Sequence, residues 1–193
     1  MSARAADVRL AGIERDGAAA ATVVVAVGSI LLALRPLSDV TADTRVVLFG
    51  ATSLAIGLAS IAVPIGRDQP HITPAMALGF GVAAVAATAW VVGPSVPSPW
   101  STAALPLSLL AAVAEEALFR RVAYARLERF GAVVAIAGSA LLFGLVHVPA
   151  YGLAALPVDV GAGLLFGWQR WASGTWTVPA ATHAFANALV VLR

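Results

Sequence analysis

The sequence contains no cysteine and no lysine, and only 11% of its 193 residues are charged. The absence of cysteine excludes disulfide bonds, thiol catalysis and thiolate metal sites. Soluble domains carry about 25% charged residues, so this chain has too few to cover an ordinary water-facing surface. Its formal net charge is only +2, which gives little attraction for a polyanion. We therefore expect no nucleic-acid partner.

Apolar residues, by contrast, make up 60% of the chain, with a mean hydropathy of +0.90. A helix of about 20 apolar residues crosses a bilayer, and lipid leaves no other way to pair the backbone groups. Apolar segments of about this length cover residues 17–35, 46–66, 74–93, 102–128, 131–148, 152–171 and 175–192. The sequence therefore predicts an all-α fold: a polytopic transmembrane helical bundle of about six or seven spans, with an intramembrane polar cavity.

The distribution of arginine indicates an orientation for this bundle. Residues 1–16 are polar and mixed in charge, and we expect a cytoplasmic tail there rather than a signal peptide. Residues 17–193 are expected to form a single transmembrane domain. With seven spans and an inner N-terminus, the outer side holds only Arg35, Arg45 and Arg193, and the other nine arginines lie inside or near the inner side. We expect an integral protein of a prokaryotic plasma membrane, in contact with the lipid bilayer, with its N-terminus in the cytoplasm.

Ionisable residues inside the predicted spans are concentrated in the C-terminal half of the chain. Such residues are costly in lipid and are therefore candidates for function. They are Glu115, Glu116, Arg120, His147, Asp159 and His183, with Asn187 one turn beyond the last. Helical spacing predicts that Glu116 pairs with Arg120 four residues later. Glu115 is rotated by about 100° from Glu116 and is left free by that pair.

Depth in the membrane groups the same residues. Gly131 marks a turn, and Glu115 and His147 each lie sixteen residues from it. At about 1.5 Å of rise per residue, the two side chains reach the same height on antiparallel helices. We expect His183 to reach this layer as well, and Phe143 to lie one turn from His147. The Gly163-x-x-x-Gly167 pattern predicts close packing of the sixth predicted span against a neighbour.

Three motifs in this region resemble those of a known family. Glu115-Glu116-Ala-Leu-Phe-Arg120, Phe143-Gly-Leu-Val-His147 and His183-Ala-Phe-Ala-Asn187 are similar to the E-E-x-x-x-R, F-x-x-x-H and H-x-x-x-N/D motifs of the CPBP (Abi) intramembrane proteases. These are relatives of the type II CAAX prenyl endopeptidases and of bacteriocin-processing and self-immunity proteins. The resemblance implies a catalytic core in residues 102–192 and variable N-terminal helices in residues 17–100.

The resemblance also implies an activity and a set of catalytic residues that includes both glutamates of the first motif, Glu115 and Glu116. The family hydrolyses a peptide bond of a membrane-associated substrate, which is prenylated in eukaryotic relatives. Glu115 would activate water with the help of His147, while His183 and Asn187 would hold the oxyanion or a metal. Arg120 and Phe143 would support the site.

The need for a metal is left open by the sequence. Glu115, His147 and His183 together resemble a zinc ligand set, so a divalent metal such as zinc is one expectation. The amide of Asn187 is a weak zinc ligand, which favours a donor role for the pair that it forms with His183. Spacing alone does not decide between these two interpretations.

Two other classes of function are alternatives to a protease. One is a non-catalytic immunity or scaffold protein of the same fold, and the other is a small transporter that uses the same buried acids. Other protease chemistries lack their motifs, because the chain has no H-E-x-x-H, and Ser139 is not followed by the glycine of a G-x-S-G. Asp159 has no second aspartate at its depth with which to form a dyad.

Overall fold

The computed structural model describes residues 3–35, 41–66, 68–92 and 104–192. Within these ranges every regular element is helical, as the sequence predicted. The helices are α1 (Ala3–Leu34), α2 (Ala42–Ala62), α3 (Pro74–Val92), α4 (Ala104–Glu116), α5 (Tyr124–Leu127), α6 (Ala132–Tyr151), α7 (Leu156–Ser173) and α8 (Thr177–Leu192). A π-helical segment, Ala117–Ala123, joins α4 to α5, and short 3₁₀ turns precede α6 and α7. Arg67, Arg193 and residues 102–103, which entered the predictions above, lie outside the described residues.

Four stretches of helix are long and apolar enough to cross a membrane. They are Gly17–Leu34, Ala42–Ala62, Pro74–Val91 and Ala132–Tyr151, and α8 is a shorter apolar helix. Large apolar side chains such as Leu58, Trp90 and Val133 point outwards and are exposed, which lipid tolerates far better than water does. The helical membrane bundle is confirmed. Among the described residues, fewer helices than the predicted six or seven are long and apolar enough to span a bilayer. α4 and α8 are short, and α7 carries polar residues.

Helix ends agree with the punctuation in the sequence, with one correction. Gly131, Gly152 and Gly174 all have positive φ, and each ends a helical stretch. The predicted fifth segment ended at residue 148, before Pro149, but α6 continues through this proline to Tyr151. Proline has a helical φ and loses only one backbone hydrogen bond, so a last turn can contain it. The extension brings Tyr151 onto the face of His147. Residues 3–16, expected to be a polar tail, form the first turns of α1.

Close packing of α6 against α7 depends on the two glycines of the predicted pattern. A Cβ atom on Gly163 would lie 2.8 Å from the Cα of Ala140, and one on Gly167 would lie 3.2 Å from the Cα of Ile136. Neither position has room for a side chain without a shift of the facing backbone. The prediction that this motif allows close helix packing is confirmed.

A buried amide fastens α3 to the C-terminal helices. The Nε2 of Gln169 in α7 donates to the carbonyl of Ala77 in α3 and to the hydroxyl of Thr182 in α8, both at 2.8 Å. A Cβ atom on Gly81 would lie only 2.0 Å from this nitrogen, so the glycine makes the approach possible. Toward α1, the helices enclose a buried apolar cluster that contains Leu118, Phe119, Phe143 and Phe166. The candidate site borders this cluster.

Candidate active site

The two neighbouring glutamates end α4, and the π-helical segment begins directly after them. Glu116 is its flanking residue, and Ala117 is its first residue. π-Helical turns widen a helix locally and are frequent at functional sites. The sequence of the segment contains no glycine or proline that could have predicted the change. Arg120, within the segment, is fully buried.

Glu116, Arg120 and His183 form a group that we call the Glu116 cluster. The Oε1 of Glu116 accepts from the Nη1 of Arg120 at 2.9 Å and from the Nδ1 of His183 at 3.0 Å. The predicted pair of Glu116 with Arg120 is confirmed, and the contact with His183 adds a third helix to it. Both partners of the pair have side chains with no exposed surface. Buried charges that are paired and hydrogen-bonded in this way hold one fixed arrangement.

Aromatic rings and a backbone carbonyl hold the other parts of the Glu116 cluster. The guanidinium of Arg120 lies 4.6 Å from the ring centroid of Phe143 and donates to the carbonyl of Gly163 at 3.1 Å. The imidazole of His183 stacks on Phe166 with centroids 5.0 Å apart. Because its Nδ1 faces a carboxylate oxygen, this nitrogen carries a proton, and the Nε2 is the atom left for other partners.

Glu115, His147 and Arg35 form a second group, the Glu115 cluster. The Oε2 of Glu115 lies 3.6 Å from the Nε2 of His147, and its Oε1 lies 3.7 Å from a terminal nitrogen of Arg35. Both distances exceed those of direct hydrogen bonds. The equal depth that the sequence predicted for Glu115 and His147 is confirmed. Arg120 makes its hydrogen bond to Glu116, as predicted, and interacts with Glu115 only electrostatically.

The tautomer of His147 follows from its other nitrogen. The Nδ1 lies 2.7 Å from the carbonyl oxygen of Phe143, one turn earlier in α6. A carbonyl can only accept, so Nδ1 carries a proton, and the Nε2 of the neutral ring has a lone pair. This lone pair and the Oε2 of Glu115 are two acceptors that face each other across 3.6 Å. A molecule that can donate two hydrogen bonds, such as water, could donate one to each of these acceptors.

Two further side chains adjoin the Glu115 cluster. Tyr151 stacks nearly parallel on His147, with centroids 5.8 Å apart and an interplanar angle of 9°. Asp159 interacts electrostatically with Glu115, His147 and His183, and its Oδ2 finds no hydrogen-bond partner among the described residues. The sequence had placed Asp159 among the buried ionisable groups. It gave no role to Tyr151, because that residue lay beyond the predicted end of its helix.

Arg35 is a member of the Glu115 cluster to which the sequence analysis gives no role in the site. It enters that analysis only as one of the outer arginines, and the structure adds that its side chain is turned into the bundle and is 12% exposed. α1 ends at Leu34, so Arg35 lies at the end of this helix, and its hydrogen-bond partners lie on α2. An i, i+3 or i, i+4 pattern cannot reveal a partner that lies 80 residues away in the chain.

Asn187 lies on the same helix as His183 but contacts a different part of α4. Its Nδ2 donates to the carbonyl of Ser108 at 3.0 Å, about two turns before Glu115. The bond attaches α8 to α4. The two residues of the third motif therefore have different described partners, Glu116 for His183 and a backbone carbonyl for Asn187.

The described residues do not fit the three-ligand zinc set suggested by the motifs. Glu115 and His147 supply two converging donor atoms, and the Nδ1–H of His147 bonded to a carbonyl is typical of the support around a metal ligand. His183 turns its Nδ1 to Glu116, which leaves its Nε2 as the only ring nitrogen that could bind a metal. No group of three metal-binding side chains is found in the described part of the chain. A catalytic zinc takes three protein ligands, and the mechanism proposed below uses side chains alone.

The C-terminal part of the chain, which carries both clusters apart from Arg35, matches a known protein family. Residues 97–189 match the family model described as type II CAAX prenyl endopeptidase Rce1-like. This part of the chain is similar to the Rce1-like family. No curated protein matches the chain, and no solved structure does.

The Rce1-like segment contains all three motifs, from Glu115 to Asn187. The family that this segment resembles is described as type II CAAX prenyl endopeptidases. Arg35, together with α1, α2 and α3, lies outside the matched residues. One side of the Glu115 cluster is thus contributed by a part of the chain that the family model does not cover.

Proposed function

We propose that this protein hydrolyses a peptide bond of a membrane-associated substrate, with a water activated by Glu115 and His147. The observation that carries the proposal is the pair of facing acceptors, the Oε2 of Glu115 and the Nε2 of His147. A water that donates to both has its oxygen lone pairs directed away from them, toward a bound carbonyl. General-base catalysis of this kind contributes about 10²–10⁴-fold to a rate.

In the first step the water oxygen bonds to the carbonyl carbon, and its proton passes to the carboxylate of Glu115. The carbonyl oxygen becomes an oxyanion, and the Nε2–H of a protonated His183 is the proposed donor to it. The bond from its Nδ1 to Glu116 fixes the direction of this N–H. The C–N bond then breaks as Glu115 returns its proton to the leaving amine. Donors fixed in advance around an oxyanion are worth several kcal/mol in such reactions.

The proposed substrate is a membrane peptide, and lipidated tails are the first class to test because the family is described by prenyl substrates. A farnesylated peptide that ends in a CAAX-type sequence, reconstituted with the protein in lipid vesicles, is a suitable probe. The same peptide without the lipid reports whether the lipid is recognised. Comparison of membrane peptides from cells with the wild-type or the Glu115→Gln protein would reveal a substrate of another sequence.

The critical comparison is between Glu115→Gln and Glu128→Gln. Glu128 belongs to the same stretch of chain but lies in a 3₁₀ turn that contains no buried residue. We expect cleavage by the wild type and by Glu128→Gln, and none by Glu115→Gln. Full cleavage by Glu115→Gln would overturn the mechanism. If Glu115→Gln retained the function of the wild type in cells, a non-catalytic immunity or scaffold role would be favoured instead.

We further propose that the N-terminus and the turn at residues 126–130 both face the cytoplasm, as the arginine distribution favours. Reporter fusions at the two positions test this orientation. Reporters that locate the two positions on opposite sides of the membrane would contradict it.

A further inference from the structure

Arg35 lies at the end of α1, and three groups of α2 hold its guanidinium in place. The Nε donates to the hydroxyl of Thr52 at 3.1 Å, and the Nη2 donates to that of Ser53 at 2.8 Å. The carbon at the centre of the guanidinium lies 4.5 Å from the ring centroid of Phe49. Contacts with two hydrogen-bond acceptors and the face of one ring leave the planar guanidinium little freedom to rotate.

The hydroxyls that receive these bonds are themselves oriented. Thr52 donates to the carbonyl of Leu48 at 2.7 Å, and Ser53 donates to that of Phe49 at 2.8 Å. A hydroxyl has one proton, so both oxygens turn lone pairs toward Arg35. α2 therefore provides a socket of two acceptors and a ring that suits a guanidinium. A lysine, with a single charged nitrogen, could not occupy all of it.

The guanidinium held in this socket faces the candidate base. Its Nη1 lies 3.7 Å from the Oε1 of Glu115, while the other carboxylate oxygen faces His147. The two oxygens of one carboxylate are thus directed to two different helices. Because only 8% of the Glu115 side chain is exposed, water cannot provide the same orientation or charge compensation.

The other charged groups around Glu115 do not replace Arg35. On its own helical stretch, Arg120 interacts electrostatically with Glu115, but its hydrogen bond goes to Glu116. His147 and Tyr151 come from α6, the acidic Asp159 comes from α7, and His183, which bonds Glu116, comes from α8. Arg35 supplies positive charge on the side of the carboxylate opposite to His147.

We propose that Arg35 is a positioning residue: it holds Oε1 of Glu115 so that Oε2 faces His147, and α1 and α2 thereby complete a catalytic centre whose motifs all lie in the Rce1-like segment. The inference rests on the function proposed above. It makes the N-terminal helices part of the active site. Arg35 itself touches neither the water nor the scissile bond in this arrangement.

The test measures kcat and KM separately for Arg35→Gln, with cleavage of the farnesylated probe peptide in vesicles. Misplacement of a reacting group by about 1 Å can cost about 10²-fold, so we expect kcat to fall by about 10–100-fold. We expect KM to change by less than about twofold, because the substrate does not contact this side chain. Arg35→Lys should recover part of the loss, since it restores the charge but not the full socket.

Two controls separate orientation from a loss of folding. Arg45→Gln removes an exposed arginine of α2 and should leave both constants unchanged. The double variant Thr52→Val, Ser53→Ala keeps Arg35 but removes its acceptors, and should lower kcat in the same direction by a smaller factor. This second variant reports on the socket even if Arg35→Gln is poorly produced.

Unchanged kcat in Arg35→Gln, or an equal loss in Arg35→Gln and Arg45→Gln, would overturn the positioning role. A rise in KM alone would also overturn it and would indicate a contact with the substrate. These results are distinct from failure of the proposed function, which is signalled by full cleavage in Glu115→Gln. Inactive Glu115→Gln together with fully active Arg35→Gln would remove the inference about Arg35 and leave the proposed mechanism standing.

Discussion

Two adjacent carboxylates in this protein have different surroundings. Glu116 has no exposed side-chain surface and makes two short hydrogen bonds, to Arg120 and His183. Glu115 is 8% exposed and makes only two longer contacts, to Arg35 and His147. Both bonds of Glu116 go to its Oε1, while its Oε2 is buried and has no hydrogen-bond partner among the described residues. Neither oxygen of Glu115 lies within direct hydrogen-bond distance of its two partners, so this carboxylate can accept a proton from a water. We therefore propose a structural role for the Glu116 cluster and a chemical role for the Glu115 cluster.

The difference arises from the helix that carries both residues. Successive residues of a helix point about 100° apart, so the two glutamates meet different neighbours. Glu116 faces α8 and the π-helical segment, which contains Arg120 four residues later. Glu115 faces α1 and α6. The variants below test whether Glu116 mainly stabilises the fold and Glu115 mainly serves hydrolysis.

The largest expected effect is on the activity of Glu115→Gln. The amide keeps the volume of the side chain but cannot accept a proton, so we expect hydrolysis to fall by about 10³-fold or more. The melting temperature in detergent should stay within a few degrees of the wild type, because both contacts of Glu115 are long. Thermal unfolding measured beside cleavage of the probe peptide checks both parts. A large loss of stability in Glu115→Gln would show that Glu115 also stabilises the fold and would contradict this comparison.

The next effect concerns the stability of the Glu116 cluster. Glu116→Gln and Arg120→Ala each leave a buried charge without its partner, which costs about 3–5 kcal/mol. The double variant should cost less than the sum of the two, because the residues form one unit. Unfolding of the purified proteins in detergent measures all three values. Strictly additive losses would mean that the 2.9 Å bond contributes little to the fold.

A smaller effect is expected where a ring supports the Glu115 cluster. Tyr151→Leu removes the ring that stacks on His147. Aromatic contacts of this kind contribute about 0.5–1.5 kcal/mol, which corresponds to about a 2–10-fold loss of rate if the ring orients His147. Tyr151→Phe retains the ring and is the matched control. Equal losses in both variants would assign the effect to the hydroxyl rather than to stacking.

The smallest expected effect is that of chelation. Glu115 and His147 converge, but no group of three metal-binding side chains is found among the described residues, so we expect activity to change by less than about twofold after treatment with a zinc chelator. The measurement is cleavage before and after chelation, with metal content determined in the same samples. Stoichiometric zinc that is lost together with activity, and restores it on re-addition, would contradict this expectation.

Much of the Glu116 cluster could be predicted because its central pair is local. Four residues separate Glu116 from Arg120, and helical geometry alone brings them together. The depth argument likewise predicted the approach of Glu115 and His147, because the turn at Gly131 fixes the register of two antiparallel helices. The bond from His183 to Glu116 rather than to Glu115 was not predictable, since a rotation of α8 decides it.

Arg35 and Arg170 show what the prediction from sequence does not include. It uses both only to infer the side of the membrane on which they lie, and the structure adds that both side chains are turned inward. Arg170 is buried, donates to the carbonyl of Arg120 at 3.1 Å and pairs with Asp68. The hydrogen-bond and ion-pair partners of these arginines lie 17 to 102 residues away in the chain. Composition rules locate charge along the chain but do not state which way a side chain turns.

The sequence by itself determined that the chain is helical, that it belongs in a membrane, and that its polar chemistry lies between residues 115 and 187. Each follows from hydrophobic length, from the cost of unpaired groups in lipid and from spacing along one helix. Only the tertiary structure decided the π-helical segment after Glu116, the tautomer of His147 and the entry of Arg35 beside Glu115. These depend on contacts between helices that are distant in the chain, and such contacts leave no periodic signal in the sequence.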